Sequence, residues 1–170
     1  MEEVVLVDEQ DNQIGTEEKL KAHQEGKLHR AFSVFIFNEK GELLLQQRAL
    51  TKYHCPGLWS NTVCSHPRPG EQVEAAAHRR MKEELGFDGP VKEVFSFIYK
   101  VKFDNGLTEH EFDHVLVGKF EPKPVLNKDE VAAVKWVGMQ ELKKDIKKSP
   151  EKYSYWLHVA IADFEAKLMP

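Results

Sequence analysis

Two glutamates separated by one residue, Glu109 and Glu111, are the acid groups whose spacing is most informative. On a β-strand, residues two apart point to the same side of the sheet. Asp113, Val115 and Val117 continue this alternation, so the two valines predict that this side faces the interior. Two adjacent buried carboxylates repel each other unless one is protonated or a cation lies between them. The alternative is an exposed edge strand, and these residues alone favour neither arrangement.

Three histidines, His23, His29 and His66, add nitrogen ligands to this pair of carboxylates. They lie in segments that flank the first long apolar strand or belong to a long loop. Each histidine alone is more often a surface or hydrogen-bonded residue than a metal ligand. Together with Glu109 and Glu111 they would form a mixed nitrogen and oxygen site. Such a site suits Mn, Fe, Zn or Mg, and imidazole favours the transition metals.

Cys64 stands two residues before His66 in a segment that lacks an apolar run. A thiol near a histidine and a bound metal can have a lowered pKa, which makes it reactive. The alternative is an ordinary, partly buried thiol. Cys55 has only His54 beside it, and we interpret it as structural.

The clearest predicted helix, residues 71–85, has two charged residues inside its apolar stripe. At about 100° per residue, the stripe consists of Val73, Ala76, Ala77, Met81 and Leu85. Arg80 and Glu84 fall within it, four residues apart. Charged side chains in an inward stripe are rare unless they are paired or bind a metal. We favour Glu84 as a metal ligand and Arg80 facing an anionic substrate; the alternative is an Arg80–Glu84 ion pair over the core.

Basic and aromatic residues are the remaining candidates for ligand contact. The candidates for binding phosphate are Lys19, Arg48, Lys52 and Arg80. Arginine suits bidentate phosphate binding, although both residue types are common on every surface. Trp156 can cover a cation with its ring or fill the core. Tyr99 lies in the middle of a predicted strand and belongs either to the core or to a pocket.

The elements that must position these residues follow from periodicity and turn residues. Strands are predicted over 4–7, 31–37, 43–47, 94–103, 108–120 and 131–137, and helices over 71–85, 139–148 and 155–168. Thr16 is predicted to cap a short helix that ends at Gly26. Residues 49–70 are predicted to be a long irregular loop, which is usually functional. Asp104-Asn105-Gly106 predicts a hairpin. The mixed order predicts an α+β fold, a mixed β-sheet covered by helices.

Composition limits the classes of protein that the chain can represent. Its 170 residues and net charge of −4, with both signs interspersed, indicate one domain over 1–170 and argue against general nucleic-acid binding. No segment approaches the roughly 20 apolar residues that span a bilayer, and the acidic start is unlike a signal peptide. Two cysteines form no disulfide framework, so we expect a cytoplasmic protein with reduced thiols. The oligomeric state stays open.

The helix around residues 71–86 resembles the Nudix box, which binds metal–diphosphate in Nudix hydrolases. The matching residues are Glu71, Arg79, Glu83, Glu84 and Gly86. Two positions differ from that box. Ser65 stands where the box has its first glycine, and Arg80 stands where it has a glutamate after the arginine.

A closer resemblance, over roughly residues 4–160, is to the type I isopentenyl-diphosphate Δ-isomerase family, which has a Nudix-like fold. The residues that match are Arg48-Ala49-Leu50, Pro56-Gly57-Leu58-Trp59-Ser60-Asn61, Val63-Cys64-Ser65-His66-Pro67, Arg79-Arg80, Glu83-Glu84-Leu85-Gly86, Glu109-His110-Glu111 and Tyr155-Trp156. Of these, the run from Pro56 to Asn61 with Cys64-Ser65-His66-Pro67 is the most specific. Ser65 replaces a glycine common in the family.

The resemblance implies a role for each candidate residue. The implied ligands of a first metal, Mn²⁺, Zn²⁺ or a similar divalent ion, are His23, His29, His66, Glu109 and Glu111. Glu84 resembles the ligand of an Mg²⁺ that bridges to the substrate diphosphate. The implied diphosphate-binding residues are Lys19, Arg48, Lys52 and Arg80. Cys64 and Glu111 resemble the two proton-transfer residues on opposite sides of the substrate, Tyr99 the residue that assists Glu111, and Trp156 the ring that faces a carbocation.

The activity implied by the resemblance is interconversion of isopentenyl diphosphate and dimethylallyl diphosphate in isoprenoid biosynthesis, through a tertiary carbocation. One alternative is a Nudix pyrophosphohydrolase, which the missing glutamate after Arg79 disfavours. Another is a non-catalytic diphosphate-binding module, which needs none of Cys64, Tyr99 and Glu111. The native metal, the direction of flux and the assignment of acid and base stay open.

Overall fold

The computed structural model describes residues 2–52 and 54–169, and within them nine strands form one mixed sheet with helices on both sides. The strands are β1 (Glu3–Val7), β2 (Gln13–Glu18), β3 (His29–Phe37), β4 (Glu42–Arg48), β5 (Trp59–Ser60), β6 (Val63–Ser65), β7 (Lys92–Lys102), β8 (Thr108–Lys119) and β9 (Val131–Gly138). The α-helices are α1 (Lys19–Glu25), α2 (Val73–Leu85), α3 (Met139–Lys148) and α4 (Tyr155–Leu168), with a 3₁₀ turn at Pro150–Lys152.

Strand β3 is the centre of the sheet. It runs parallel to β8, with His29 beside Glu111 at the start of the pairing. Strand β8 returns from β7 in the predicted antiparallel hairpin. The other edge of β3 pairs with β6, where Ser33 lies opposite Cys64. Three strands that are distant in sequence therefore bring their polar residues to one region of the sheet.

Alternate residues of β3 pack against opposite helical layers, because successive strand side chains point to opposite faces. Phe32, Val34 and Ile36 are fully buried in a cluster with apolar residues of α2. Phe35 and Phe37 are buried in a second cluster with residues of α3 and α4. The predicted α+β fold, a mixed sheet covered by helices, is thus confirmed. No helix among residues 2–52 and 54–169 has the length and apolar character needed to cross a membrane.

The prediction for Thr16 is wrong. Thr16 lies within β2, paired with Val5 of β1, and this ladder extends to the residue before the helix. The residue that caps α1 is Glu18, whose carboxylate accepts hydrogen bonds from the backbone N–H groups of the second and third helical residues, at 3.1 and 2.9 Å. A carboxylate satisfies two unpaired donors at once and favours the positive helix end. The helix ends at Gly26, as predicted.

The predicted irregular loop over residues 49–70 contains two short strands, so that prediction is only partly right. Strand β5 pairs with β4, and β6 pairs with β3. Helix α2 begins at Val73, two residues after the predicted start at Glu71. Glu71 binds the guanidinium of Arg79 with both carboxylate oxygens, at 2.7 and 2.8 Å. This bidentate ion pair fixes the segment against the helix and does not extend it.

Gly86 offers a test of close packing at the end of α2. Its φ is 68°, and a Cβ there would lie 2.8 Å from both Cβ and the carbonyl oxygen of Val125. We expect Gly86→Ala to lower the free energy of unfolding by the left-handed cost of about 1–2 kcal/mol plus a steric cost of about 1–3 kcal/mol. Gly41→Ala is the control, because Gly41 has φ 74° but no atom within 4 Å of a new Cβ. Equal losses in urea unfolding would contradict the steric argument.

Candidate active site

Three carboxylates lie side by side on the inner face of β8. Glu109, Glu111 and Asp113 are 3%, 6% and 1% exposed, and Val115 and Val117 continue the same buried face. The glutamates therefore point inward, which is one of the two arrangements that the sequence left open, and the exposed-edge alternative is wrong. Burial raises the pKa of Glu109 well above its usual value, and the neighbouring charge of Glu111 adds to the effect. Burial likewise raises the pKa of Asp113.

Glu111 differs from its neighbours because several groups stabilise its charged form. Burial acts to raise its pKa, but the hydrogen bond with His66 and the nearby ring of His29 lower that pKa well below its usual value. Its Oε1 lies 3.0 Å from Nε2 of His66 and 3.5 Å from Nε2 of His29. Its Oε2 accepts a hydrogen bond from the Tyr99 hydroxyl at 2.7 Å. The carboxylate is thus held in one orientation.

Three histidines converge on this carboxylate. One ligand atom from each of His23, His29, His66 and Glu111 lies within 4.8 Å of the others. Nδ1 of His23 and Nδ1 of His29 donate to the backbone carbonyls of Lys19 (2.7 Å) and Lys27 (2.8 Å), which leaves Nε2 of both as a lone-pair donor. Metal-binding histidines are usually oriented by such a bond.

The chemical state of these histidines fits a divalent cation. Burial lowers the pKa of His23 to about 4 and that of His66 to about 3, so both are neutral at pH 7. Neutral imidazole is the form that binds metals. The buried atoms Nε2 of His29 and Nδ1 of His66 have no hydrogen-bond partner. An orphaned buried polar atom is costly, and ligation through Nε2 would satisfy the orphaned atom of His29.

Glu109, the fifth predicted ligand, is not one of these four clustered residues. Its Oε1 contacts Nε2 of His54, and its Oε2 lies 3.1 Å from the Tyr99 hydroxyl. His54 is 6% exposed and is a cleft residue that sequence reasoning missed. The available signal was its position beside Cys55 in the long loop. An irregular loop, however, has no predicted strand pairing from which its contact with Glu109 could be inferred. The ring of His54 lies 5.9 Å from the ring of His23.

The Cys64 thiol reaches the cleft from β6, beside a guanidinium. Nη1 of Arg48 lies 3.7 Å from Cys64 Sγ. Burial raises the pKa of Cys64 to about 12, and the positive charge of Arg48 only partly opposes this effect. The protein's own groups thus raise the thiol pKa, because the neighbouring His66 is neutral and the thiol is desolvated. The lowered pKa expected near a bound metal stays a prediction.

Each of the four predicted phosphate-binding residues lines the cleft, and three of them face carboxylates. Lys19 Nζ lies 3.0 Å from Glu2, Lys52 contacts Glu130, and Arg80 Nη2 lies 2.7 Å from Glu84. Arg48 instead donates to the backbone carbonyl of His54 at 2.9 Å. The cleft thus has a set of cations whose charges are already compensated by acidic side chains.

Glu84 and Arg80 form the ion pair that sequence analysis considered as the alternative to metal binding. Glu84 is 3% exposed; Oε1 accepts from Arg80 and Oε2 accepts from Nε2 of Gln46 at 2.9 Å. It is not part of the four-residue cluster around Glu111. Arg80 places both Nε and Nη2 on Oε1, whereas Gln46 occupies one lone pair of Oε2, so Oε2 can still bind a cation.

Trp156 is buried, and its indole is fixed at the cleft wall. Its Nε1–H donates to Ser60 Oγ at 2.8 Å and lies 2.9 Å from Asn61 Oδ1. Its ring centroid is 5.7 Å from Cζ of Arg48. The side chain therefore both belongs to the core and presents a ring to the cleft, which unites the two interpretations of the sequence.

The residues that surround the cleft are Lys19, His23, Ser33, Arg48, Lys52, His54, Cys64, Ser65, His66, Arg80, Tyr99, Glu109, Glu111 and Trp156. Of the predicted site residues, only His29 and Glu84 are not on its wall. His29 lies directly behind it in the histidine cluster.

Comparison with known proteins defines the class first. Residues 27–157 match the NUDIX domain family. The crystal structure of DR0079 from Deinococcus radiodurans has a TM-score of 0.78 at 20% identity, covering 94% of this chain and 97% of the other. A MutT Nudix hydrolase from Burkholderia pseudomallei has a TM-score of 0.64 at 21% identity, covering 81% and 98%. These structures establish the Nudix fold.

Sequence relatives define the particular family. An isopentenyl-diphosphate Delta-isomerase 2 from Aromatoleum aromaticum is 54% identical over 92% of this chain and 82% of its own length. Another from Photorhabdus laumondii is 54% identical over 92% and 89%. One from Serratia proteamaculans is 46% identical over 99% and 94%. The chain belongs to the isopentenyl-diphosphate Delta-isomerase family, as the resemblance implied.

The four-residue cluster predicts a divalent-cation site that depends on each histidine. We expect His29→Asn to weaken binding of Mn²⁺ or Zn²⁺ by at least about tenfold, because loss of a ligand costs no less than loss of its supporting partner. His158→Asn is the control, since His158 lies on α4 outside the cluster. Competition with a chelator measures both affinities. Equal metal affinity in the two variants would contradict the site.

Proposed function

We propose that this cleft isomerises isopentenyl diphosphate by proton transfer through Cys64 and Glu111. As a member of its family, the chain is an enzyme that interconverts isopentenyl diphosphate and dimethylallyl diphosphate. The observation that most supports the proposed route is Glu111, a buried carboxylate held by Tyr99 and two histidines in the same cleft as the Cys64 thiol. We propose that residues 1–170 form a single Nudix-like isomerase domain.

Moving the double bond requires that one carbon gains a proton and another loses one. Addition of a proton to the alkene gives a tertiary carbocation, and removal of a proton from the neighbouring carbon gives the isomer. Cys64 and Glu111 lie on different strands, β6 and β8, that both border β3. We assign them as the two proton-transfer groups. Either residue can act first, because the reverse reaction uses the same path with the roles exchanged.

Tyr99 is a positioning residue for Glu111. Its hydroxyl donates to Glu111 Oε2 and lies near Glu109. Burial and the nearby carboxylates raise the pKa of Tyr99 well above its usual value, so the phenol keeps its proton. A neutral donor fixes the orientation of the carboxylate without adding a negative charge to a site that already holds three carboxyl groups.

A carbocation must be protected from water, which would hydrate it. Trp156 is 4% exposed, and its indole is anchored to Ser60 and Asn61. An aromatic face stabilises a desolvated cation by about 2 kcal/mol without acting as a nucleophile. We therefore assign Trp156 to the wall that faces the cationic carbon.

Two divalent cations complete the proposal. The family implies a divalent metal ion, and we assign Mn²⁺, Zn²⁺ or a similar ion to His23, His29, His66 and Glu111, with Glu109 as a further ligand. When bound, such an ion withdraws electron density from Glu111 and makes its proton more acidic. We assign Mg²⁺, bound together with the diphosphate, to Glu84, and the diphosphate oxygens to Lys19, Arg48, Lys52 and Arg80.

A Nudix pyrophosphohydrolase is the alternative activity that the fold alone would permit. The position after Arg79 holds Arg80, whose guanidinium binds Glu83 at 2.9 Å and Glu84. A basic side chain here cannot provide the carboxylate that the Nudix box has at this position.

We further infer a cytoplasmic protein that binds neither nucleic acid nor membrane, in keeping with its free cysteines and net charge of −4.

The first test is isotope exchange. The metal-loaded protein, incubated with isopentenyl diphosphate in deuterium oxide, is expected to form dimethylallyl diphosphate that contains solvent deuterium, because the added proton comes from groups that exchange with water. Mass spectrometry of the allylic product measures incorporation, and a phosphate assay on the same sample detects hydrolysis. Phosphate release without deuterium incorporation would instead indicate a hydrolase.

The second test separates the two cysteines. Cys64→Ala and Glu111→Gln are each expected to lower kcat by about 10²-fold or more, because each removes a proton-transfer group. KM should change far less. Cys55→Ala is the control, since Cys55 lies outside the cleft wall. Near-normal turnover by Cys64→Ala, or a comparable loss in Cys55→Ala, would exclude the assigned pair.

A further inference from the structure

One carboxylate beside the cleft lies between two of the cleft's cations. Oε2 of Glu130, the residue before β9, contacts Nζ of Lys52 and lies 3.3 Å from Nη2 of Arg80. Both basic residues line the cleft. A single anionic oxygen shared by a lysine and an arginine is also the arrangement in which an oxygen of a phosphate group is bound. Glu130 thus has the same partners that a phosphate oxygen would have.

Glu84 also faces Arg80, but it is held more firmly than Glu130. The side chain of Glu84 is 4% exposed, and its second oxygen is bound to Gln46. The side chain of Glu130 is 24% exposed, so it can turn from the two cations toward water. Its main chain is fixed independently, because its carbonyl accepts from Ala49 N at 3.0 Å and its N–H donates to Asn127 O at 3.0 Å. Only the side chain of Glu130 needs to move.

We propose that Glu130 occupies the position of a diphosphate oxygen between Lys52 and Arg80 in the substrate-free protein, and that the substrate displaces it. This inference rests on the proposed function, because it assumes that Lys52 and Arg80 bind the diphosphate. The competing carboxylate has one negative charge, whereas a diphosphate has several charges and more oxygens. Displacement therefore favours polyanions and disfavours a singly charged anion, for which exchange with Glu130 brings no gain.

Competition of this kind predicts tighter binding when the competitor loses its charge. Glu130→Gln keeps the size of the side chain but removes the ion pairs that a diphosphate must replace. We expect the variant to bind inorganic pyrophosphate, in the presence of Mg²⁺, about fivefold more tightly than the original protein, the magnitude of a partly exposed ion pair. A side chain with a purely structural role would weaken binding on substitution, not strengthen it.

The experiment is calorimetric titration of the full-length, metal-loaded protein with Mg²⁺ and inorganic pyrophosphate at constant ionic strength. Asp129→Asn is the matched control, because Asp129 is the exposed neighbour and its loss changes the net charge equally. Lys52→Met tests the binding position itself and is expected to weaken binding. Thermal unfolding of each variant verifies that it is folded.

Tighter binding in Glu130→Gln, with no change in Asp129→Asn and a loss in Lys52→Met, supports the displacement. If Glu130→Gln binds equally or more weakly while Lys52→Met still loses affinity, displacement is wrong and the diphosphate position stands. If Asp129→Asn gains as much as Glu130→Gln, the effect is one of net charge and the proposal fails. If neither Lys52→Met nor Arg80→Met changes affinity, the assigned diphosphate position is itself wrong.

Discussion

Three carboxylates buried next to one another on β8 require compensation, and much of the site is arranged to supply it. Each carboxylate has different partners: Glu109 contacts His54, Glu111 contacts His66, and Asp113 accepts from the Ser33 hydroxyl at 2.8 Å. The consequence is a division of charge states, since the pKa of Glu111 is lowered while those of its two neighbours are raised. The negative charge of these buried acids is therefore concentrated on Glu111.

The sheet provides this compensation through its pairing order. Strand β8 lies parallel to β3, which places His29 beside Glu111, and β6 on the other edge of β3 brings Cys64 opposite Ser33. The helix α1 adds His23 from a separate layer. A dense apolar core on both faces fixes these strands, so the polar groups meet at defined distances without being linked closely in sequence.

The sequence alone was sufficient to predict those structural features that depend on residues close together in the chain. The period of two on β8 predicted that the two glutamates share a face with the buried valines, and the turn at residues 104–106 predicted the hairpin. The sequence was insufficient where a distant partner decided: pairing with β1 places Thr16 in β2, and the contact between Glu109 and His54 was not foreseen. The thiol pKa of Cys64 depends on desolvation, which no spacing of residues encodes. The resemblance named the site residues, but not which of them touch.

The parallel pairing of β3 with β8 also determines at which stage of folding the site can assemble. Ser33 and Asp113, joined across it, are 80 residues apart in the chain. Closing so long a loop precedes any contact between the histidines and their carboxylate, and such non-local contacts form slowly. On the ribosome, His23, His29 and His66 emerge well before Glu111. The nascent chain therefore displays three unassembled imidazoles until β8 has been synthesised and docks, so the cluster of histidines and Glu111 forms only when the sheet is complete.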